Sequence, residues 1–323
     1  MSDPYASCEL FVREALAASV PRSGRELVAA VSWTGEMSAR TTESIPASTT
    51  MGPVHLTVAD LERSLPYYRE AVGLDVRERG AGRASLGAGE AELLVLVEEP
   101  GARPAPRHTG LFHFALLVPT RADLAGWLAH AARERVPLAG MSDHYVSEAV
   151  YLSDPDGHGI EIYADRPREV WEGQVMARMT TEPLDVQSLL AELDDPATVP
   201  YDGLAAGTVM GHVHLQVASA EDAVVFYRDV LGFDVMAKFV PSAAFFGAGG
   251  YHHHVGANTW RSRGATPPPP GSAALRHATI VLPDTADRDR VAARVADAGQ
   301  EPEAVEGGLL VRDPSGNALV LAG

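Results

Sequence analysis

The sequence predicts an α+β protein built from four copies of one βαβββ unit. The first observation is a gapless internal repeat. "GPVHLTVADLERSLPYYREAVGLDV" begins at Gly52 and "GHVHLQVASAEDAVVFYRDVLGFDV" begins at Gly211, an offset of 159 residues (211 − 52). Each stretch reads as an alternating strand, an amphipathic helix and a glycine stop, which is how a strand–helix unit opens.

The second observation is a weaker repeat in which an Asp-Pro-x-Gly turn follows each copy. "LFHFALLVPTRADLAGWLAHA" and "LRHATIVLPDTADRDRVAARV" precede the turns at Asp154 and Asp313, and a short strand follows each turn. One such unit is too small to bury its own sheet and helix. We therefore expect paired units to curl into two half-barrels, each around a cleft. The four units begin near Gly52, Leu111, Gly211 and Leu275.

The repeats divide the chain into four stretches. Residues 1–50 end in the Ser/Thr-rich, aperiodic "SARTTESIPASTT" and are predicted to be a disordered N-terminal extension. Residues 51–165 and 209–323 are each predicted to be a domain of two units, and residues 166–208 a long acidic connector.

Composition restricts the classes of partner. The chain is 46% hydrophobic, enough for a globular core, and its formal net charge of −17 disfavours nucleic-acid and membrane-surface partners. The single cysteine, Cys8, excludes an intramolecular disulfide and predicts a reducing, cytoplasmic location. Symmetric assembly is common among soluble proteins, so a homo-oligomer stays open.

Histidines occupy matching positions in the four first strands: His55, His113, His214 and His277. The last strand of the second unit carries Glu161 between two isoleucines, whereas the fourth unit has Val320 there. A buried carboxylate needs a partner, a proton or a metal. Neutral imidazoles with one carboxylate are the ligand set of non-haem Fe(II), and Mn(II) accepts the same set.

The stretch around Glu161 resembles the signature of type I extradiol dioxygenases, members of the vicinal oxygen chelate superfamily. The matching residues are His144, Val150, Tyr151, Asp154, Pro155, Gly157 and Glu161. Ser142 departs from the signature, which prefers Gly, Asn, Thr, Ile or Val there. The resemblance spans about residues 52–323 and is closest to the bacterial catechol-2,3-dioxygenase group.

The resemblance implies that two units share one metal site. Its pattern takes His113 and Glu161 from the second unit, and a first-strand histidine and a later catalytic histidine from the partner. The third unit offers both, His214 and His253, whereas the first has no later histidine. We therefore predict His113, His214 and Glu161 as ligands, with units two and three paired and units one and four paired. The alternative keeps His55 in place of His214.

The implied activity is extradiol cleavage of a catechol by O2 on Fe(II), giving a 2-hydroxymuconate-semialdehyde-type product. In that account His253 is the acid–base group, Tyr151 hydrogen-bonds a substrate oxygen, and His144 orients the substrate or Tyr151. Two rivals stay open: a glyoxalase-type isomerase or lyase, and a non-catalytic binder of small molecules such as drugs. The histidine at position 253 disfavours the first, and the intact signature disfavours the second.

Overall fold

The computed structural model describes residues 43–323, which form two eight-stranded sheets, a two-stranded ribbon and seven short or medium α-helices. The strands are β1 (Thr50–Val58), β2 (Asp75–Gly80), β3 (Arg83–Ala88), β4 (Ala91–Glu98), β5 (Arg103–Pro104), β6 (Gly110–Leu117), β7 (Gly140–Asp143), β8 (Ser147–Ser153), β9 (Gly159–Asp165), β10 (Val209–Gln216), β11 (Asp234–Phe239), β12 (Ala243–Gly247), β13 (Val255–Asn258), β14 (Ser272–Ala273), β15 (Leu275–Val281), β16 (Glu303–Val305), β17 (Gly308–Arg312) and β18 (Ala318–Ala322).

The helices lie between the strands as the repeat predicts. They are α1 (Leu61–Tyr67), α2 (Arg121–Glu134), α3 (Arg168–Trp171), α4 (Val175–Arg178), α5 (Val186–Leu190), α6 (Ala220–Val224) and α7 (Thr285–Asp297). Helices α1 and α6 each continue into a π-helical turn, Tyr68–Val72 and Val225–Val230. Within residues 43–323, no helix has both the length and the apolar character needed to cross a membrane.

Strand order confirms the predicted α+β fold and the predicted pairing of units. The first sheet runs β16-β17-β18-β15-β1-β4-β3-β2 and combines units one and four; the second runs β11-β12-β13-β10-β6-β9-β8-β7 and combines units two and three. In each sheet the two units are joined by one antiparallel strand pair, β1 with β15 in the first sheet and β10 with β6 in the second. Each sheet therefore draws one unit from residues 51–165 and one from residues 209–323.

Side-chain alternation assigns the two faces of each sheet. In β1, Val54, Leu56 and Val58 are fully buried in the core that also holds the helices. His55 and Thr57 point to the opposite face, because successive strand residues alternate. Helix α2 is preceded by the N-cap residue Thr120, whose capping box with Asp123 fixes where the chain leaves the sheet. The face that carries no helices is the one available for a functional site.

The two Asp-Pro-x-Gly turns are built alike. The Asp154 carboxylate accepts backbone N–H bonds from Asp156 and His158 at 2.9 and 2.8 Å, and Gly157 supplies the positive φ of 87° that the turn requires. The hydroxyl of Tyr68, in the π-helical turn after α1, donates to the same carboxylate at 2.9 Å. This buried bond ties the first unit to the second, and therefore one sheet to the other.

The fourth unit repeats the arrangement. The Asp313 carboxylate accepts from the backbone N–H groups of Ser315 and Asn317 at 2.8 and 2.9 Å. The Tyr227 hydroxyl donates to it at 3.1 Å. Units three and four are thus joined as units one and two are.

The prediction of a disordered extension is wrong for residues 43–49. Ile45 is buried in the core and its N–H donates to the carbonyl of Gly232 at 2.8 Å, and Thr49 is also buried. The segment is polar and aperiodic, so its sequence does not indicate that the apolar side chain of Ile45 packs in the core. The rest of the predicted extension, residues 1–42, lies outside the described residues. The connector of residues 166–208 carries α3, α4 and α5, and it buries Trp171 and Leu190.

We expect Tyr68→Phe to lower the free energy of unfolding by about 1.5–3 kcal/mol, because it removes a buried hydrogen bond to a charged acceptor. Tyr145→Phe is the matched control: its hydroxyl donates to the Val170 carbonyl at the surface, and its loss should change stability by less than about 1 kcal/mol. Urea denaturation monitored by circular dichroism measures both. Equal midpoints for the two variants would contradict a role of the Tyr68–Asp154 bond in joining the sheets.

Candidate metal and active site

Three side chains from three adjacent strands converge on the open face of the second sheet. The Glu161 Oε2 atom lies 2.9 Å from His113 Nε2 and 3.1 Å from His212 Nε2. The potential ligand atoms of these three residues all lie within 4.8 Å of one another, and all three side chains are buried. We call His113, Glu161 and His212 the three-ligand group.

Strand register explains why these three residues meet. His212 on β10 and Glu161 on β9 both pair with Ala115 on the central strand β6, so they lie on one row across the sheet. The methyl side chain of Ala115 leaves room for the two longer side chains above it. His113 lies two residues earlier on β6 and therefore shares their face.

The chemistry of this group fits a divalent metal. Within residues 43–323, the Nε2 atom of His113 has no hydrogen-bond partner, although the carboxylate oxygen is close to it. Burial acts to raise the pKa of Glu161, but His212 and His113 beside it hold that pKa well below its usual range. Burial lowers the pKa of His212. An anionic carboxylate and neutral imidazole donors are the forms in which these residues bind Fe(II) or Mn(II).

The predicted ligand His214 lies beside this group rather than in it. It pairs with His113 across the β10–β6 join, and the two rings are edge-to-face with centroids 5.0 Å apart. Residues 212 and 214 share a face, but a register irregularity between Met210 and His212 places His212 on the row of Glu161. The geometry thus favours His212, and the assignment of His214 stays a prediction.

The alternative ligand His55 lies in the other sheet. It faces His277 across the β1–β15 join, and the two imidazoles are stacked with centroids 3.9 Å apart. Among residues 43–323, neither ring has a carboxylate within ion-pair distance, so this pair does not reproduce the three-ligand group.

His144 and Tyr151, two residues of the signature, form a hydrogen-bonded pair. His144 Nδ1 lies 2.7 Å from the carbonyl oxygen of Thr180, and its Nε2 lies 2.7 Å from the Tyr151 hydroxyl. A carbonyl only accepts, so Nδ1 carries the proton and Nε2 accepts from Tyr151. Tyr151 is opposite Glu161 in the β8–β9 register. Burial, together with the charge of Glu161, raises the pKa of Tyr151 well above 10, so its hydroxyl stays protonated.

The triple histidine before β13 divides into different environments. His253 packs against His212 with ring centroids 4.1 Å apart, and burial lowers its pKa well below 6.5. Its Nδ1 lies 2.8 Å from His252 Nδ1, and His252 Nε2 lies 2.8 Å from Asp165 Oδ1. His254 instead accepts the backbone N–H of Ala248 and has a structural role. Sequence reasoning did not assign functions to His252 or Asp165.

An aromatic wall adjoins the three-ligand group. The rings of Phe112 and Phe245 lie edge-on to His214 at 5.3 Å, and the Trp260 ring lies 5.4 Å from it. Trp260 is 45% exposed, so this wall reaches the surface. Trp171, by contrast, is buried and its ring lies edge-on to His252.

Similarity to known proteins identifies the family to which the chain belongs. The model of the Glyoxalase/Bleomycin resistance protein/Dioxygenase superfamily matches residues 50–162 and 209–321. The chain therefore belongs to that superfamily, the vicinal oxygen chelate group that its repeat and signature resemble. A Bacillus subtilis (strain 168) protein named catechol-2,3-dioxygenase is 43% identical over 287 residues, which cover 86% of this chain and 98% of the relative.

Solved structures agree with the fold. A putative dioxygenase from Bacillus subtilis subsp. subtilis str. 168 is 16% identical, with a TM-score of 0.59 over 87% of this chain and 86% of that one. Glyoxalase I from Zea mays is 19% identical, with a TM-score of 0.53 over 85% of this chain and 92% of that one. At these identities the likeness extends to the fold alone.

Metal content separates the competing ligand sets. After anaerobic loading with Fe(II) and desalting, we expect the wild type to keep one iron per chain and His212→Ala to lose it, because two ligands are left. His55→Ala is the matched control from the other sheet and should keep its iron. His214→Ala should also keep it. Iron retained by His212→Ala and lost from His214→Ala would restore the ligand set predicted from the sequence.

The stacked pair of the first sheet predicts a pH dependence of stability. Burial, and secondarily the neighbouring positive charges, lower the pKa of His55 to about 3 and that of His277 to about 4. In the unfolded chain the two imidazoles take up protons near pH 6.5, whereas in the folded chain they stay neutral to lower pH. The free energy of unfolding therefore decreases as pH falls from 6.5 toward 4. The double variant His55→Gln, His277→Gln should lose less stability than the wild type across this range in urea denaturation. His108→Gln, in the loop between β5 and β6, is the control; an unchanged pH slope in the double variant would contradict the assignment.

Proposed function

We propose that the protein is an Fe(II)-dependent extradiol dioxygenase that opens a catechol-type ring with O2 to a 2-hydroxymuconate-semialdehyde-type product. The observation that carries the proposal is the three-ligand group with the Tyr151–His144 pair and His253 beside it. The relative named catechol-2,3-dioxygenase, 43% identical and matched over nearly its whole length, supports the substrate class.

His113, His212 and Glu161 would hold the metal. When bound, Fe(II) supplies open coordination positions for the two catechol oxygens and O2, and carries electrons between substrate and oxygen. Mn(II) suits the same donors and is the alternative metal. The group is buried on a packed sheet, so its geometry is set by the strands before any metal arrives.

Tyr151 and His144 provide a route for one substrate proton. Because Tyr151 donates its hydroxyl hydrogen to His144, its oxygen is free to accept a bond from a substrate hydroxyl. A proton leaving that hydroxyl is passed to Tyr151 as the proton of Tyr151 moves to Nε2 of His144. The Thr180 carbonyl holds the His144 ring in the orientation that this transfer needs.

His253 serves on the other side of the three-ligand group. Its imidazole packs against His212, where it is placed to take up a proton and return it to the ring-opened product. The wall of Phe112, Phe245 and Trp260 offers flat apolar surfaces, which suit an aromatic substrate and exclude water from the reacting atoms.

Oxygen consumption tests the proposal. With anaerobically Fe(II)-loaded protein and a panel of substituted catechols, we expect one O2 consumed per substrate and a yellow product. Tyr151→Phe should lower kcat by about 10²-fold, the contribution typical of an acid–base group, while retaining its iron. Tyr67→Phe, whose hydroxyl bonds the Ser153 carbonyl in another part of the molecule, is the control and should retain full activity. Bound iron without oxygen uptake on any catechol would refute the proposal and favour a glyoxalase-type isomerase or a binding protein.

A further inference from the structure

We propose that Asp165 and His252 are positioning residues that hold the ring proton of His253 on Nδ1 and so keep its Nε2 free as a base. The catalytic meaning of this arrangement rests on the proposed function, whereas the proton position is a property of the folded chain itself.

The hydrogen-bonding capacities of the three side chains lead to this proton position. Asp165, at the end of β9, is four residues beyond Glu161, and its Oδ1 lies 2.8 Å from His252 Nε2. A carboxylate only accepts, so His252 carries its proton on Nε2 and, as a neutral ring, has a bare Nδ1. That bare nitrogen lies 2.8 Å from His253 Nδ1, which must then be the donor. The Nε2 of His253 is left with a free lone pair.

Packing prevents His252 from adopting another orientation. Its side chain is completely buried, with the Tyr251 ring 4.1 Å from it and the Trp171 ring edge-on at 5.4 Å. Turning the ring over would break both hydrogen bonds of a completely buried side chain, and an unpaired buried polar group is costly. The Asp165 side chain, by contrast, is 23% exposed, so its negative charge is partly solvated and inexpensive to maintain.

The location of His253 places the free lone pair of its Nε2 beside the proposed site. The ring lies against His212 at 4.1 Å and edge-on to Phe245 at 5.1 Å, between the three-ligand group and the aromatic wall. Without the carboxylate, His252 can carry its proton on Nδ1 instead, which forces the proton of His253 onto Nε2 and blocks the base.

The same contacts fit a purely structural role, namely holding the loop before β13 to the end of β9. With such a role, a substitution at position 165 would change stability and metal binding. It would not change which nitrogen of His253 carries the proton. The two roles therefore differ in a spectroscopic property that does not depend on catalysis.

The test uses Asp165→Leu, which has nearly the same shape and removes the carboxylate acceptor. In metal-free full-length protein with ¹⁵N-labelled histidine, two-bond ¹H–¹⁵N correlation spectra report which ring nitrogen is protonated, and His253→Gln identifies the signal. We expect the Nδ1–H form of His253 in the wild type and the Nε2–H form in Asp165→Leu. In the Fe(II)-loaded enzyme, kcat should fall by about 10²-fold or more, with iron content and the anaerobic dissociation constant for the catechol unchanged.

His254→Gln is the matched control, because His254 is an equally buried member of the same triple histidine but bonds only the backbone of Ala248. It should leave the tautomer and kcat as in the wild type. If Asp165→Leu fails to fold, His252→Gln tests the same link and should lower kcat to a similar extent.

A wild-type His253 protonated on Nε2, or an Asp165→Leu variant with the wild-type tautomer and kcat, would overturn the proposal. If the wild type consumes no oxygen with any catechol, the proposed function fails, and the ¹⁵N spectra still decide the position of the proton.

Discussion

The antiparallel join between β6 and β10 is the constraint on which the rest of the site depends. It brings a unit from each half of the chain to one sheet and sets the row on which His212 and Glu161 meet above Ala115. Every other functional group is placed relative to that row: His113 two residues along β6, Tyr151 opposite Glu161, and His253 packed on His212. A slip of one residue in this register would turn His212 to the helix-packed face and separate it from Glu161.

The first sheet has the same antiparallel join between units but lacks the residues that would bind a metal. At the positions that correspond to His212 and Glu161 it has Pro53 and Val320, and only the pair at the join, His55 and His277, remains. Those two imidazoles stack on each other and have no carboxylate between them. The backbone is repeated, but the metal-binding chemistry is confined to one of its two copies.

Periodicity and repetition were sufficient to predict the architecture and the positions of His113 and Glu161 on their strands, and the resemblance to extradiol dioxygenases added the pairing of units. They were insufficient to choose between His212 and His214, because both lie on one face and only the irregularity after Met210 decides between them. The Asp165–His252 bond joins residues 87 apart in the chain, which no local pattern encodes. Residues 43–49 were predicted to be disordered because a single buried side chain, Ile45, leaves no periodic signal.

The exchange of units between the two sheets has a consequence for biosynthesis. A nascent chain that has emerged as far as the connector holds His113 and Glu161 but lacks β10, β13 and the histidine triplet. Its β6 edge is then unpaired, and such an edge is prone to pair with other chains. The tyrosine–aspartate bond from Tyr68 to Asp154 is already available to hold the first two units together during that interval. The site therefore forms late, because its strands from the two halves of the chain meet only after a long loop has closed. Until then, the buried contacts within the first half must keep it from aggregating.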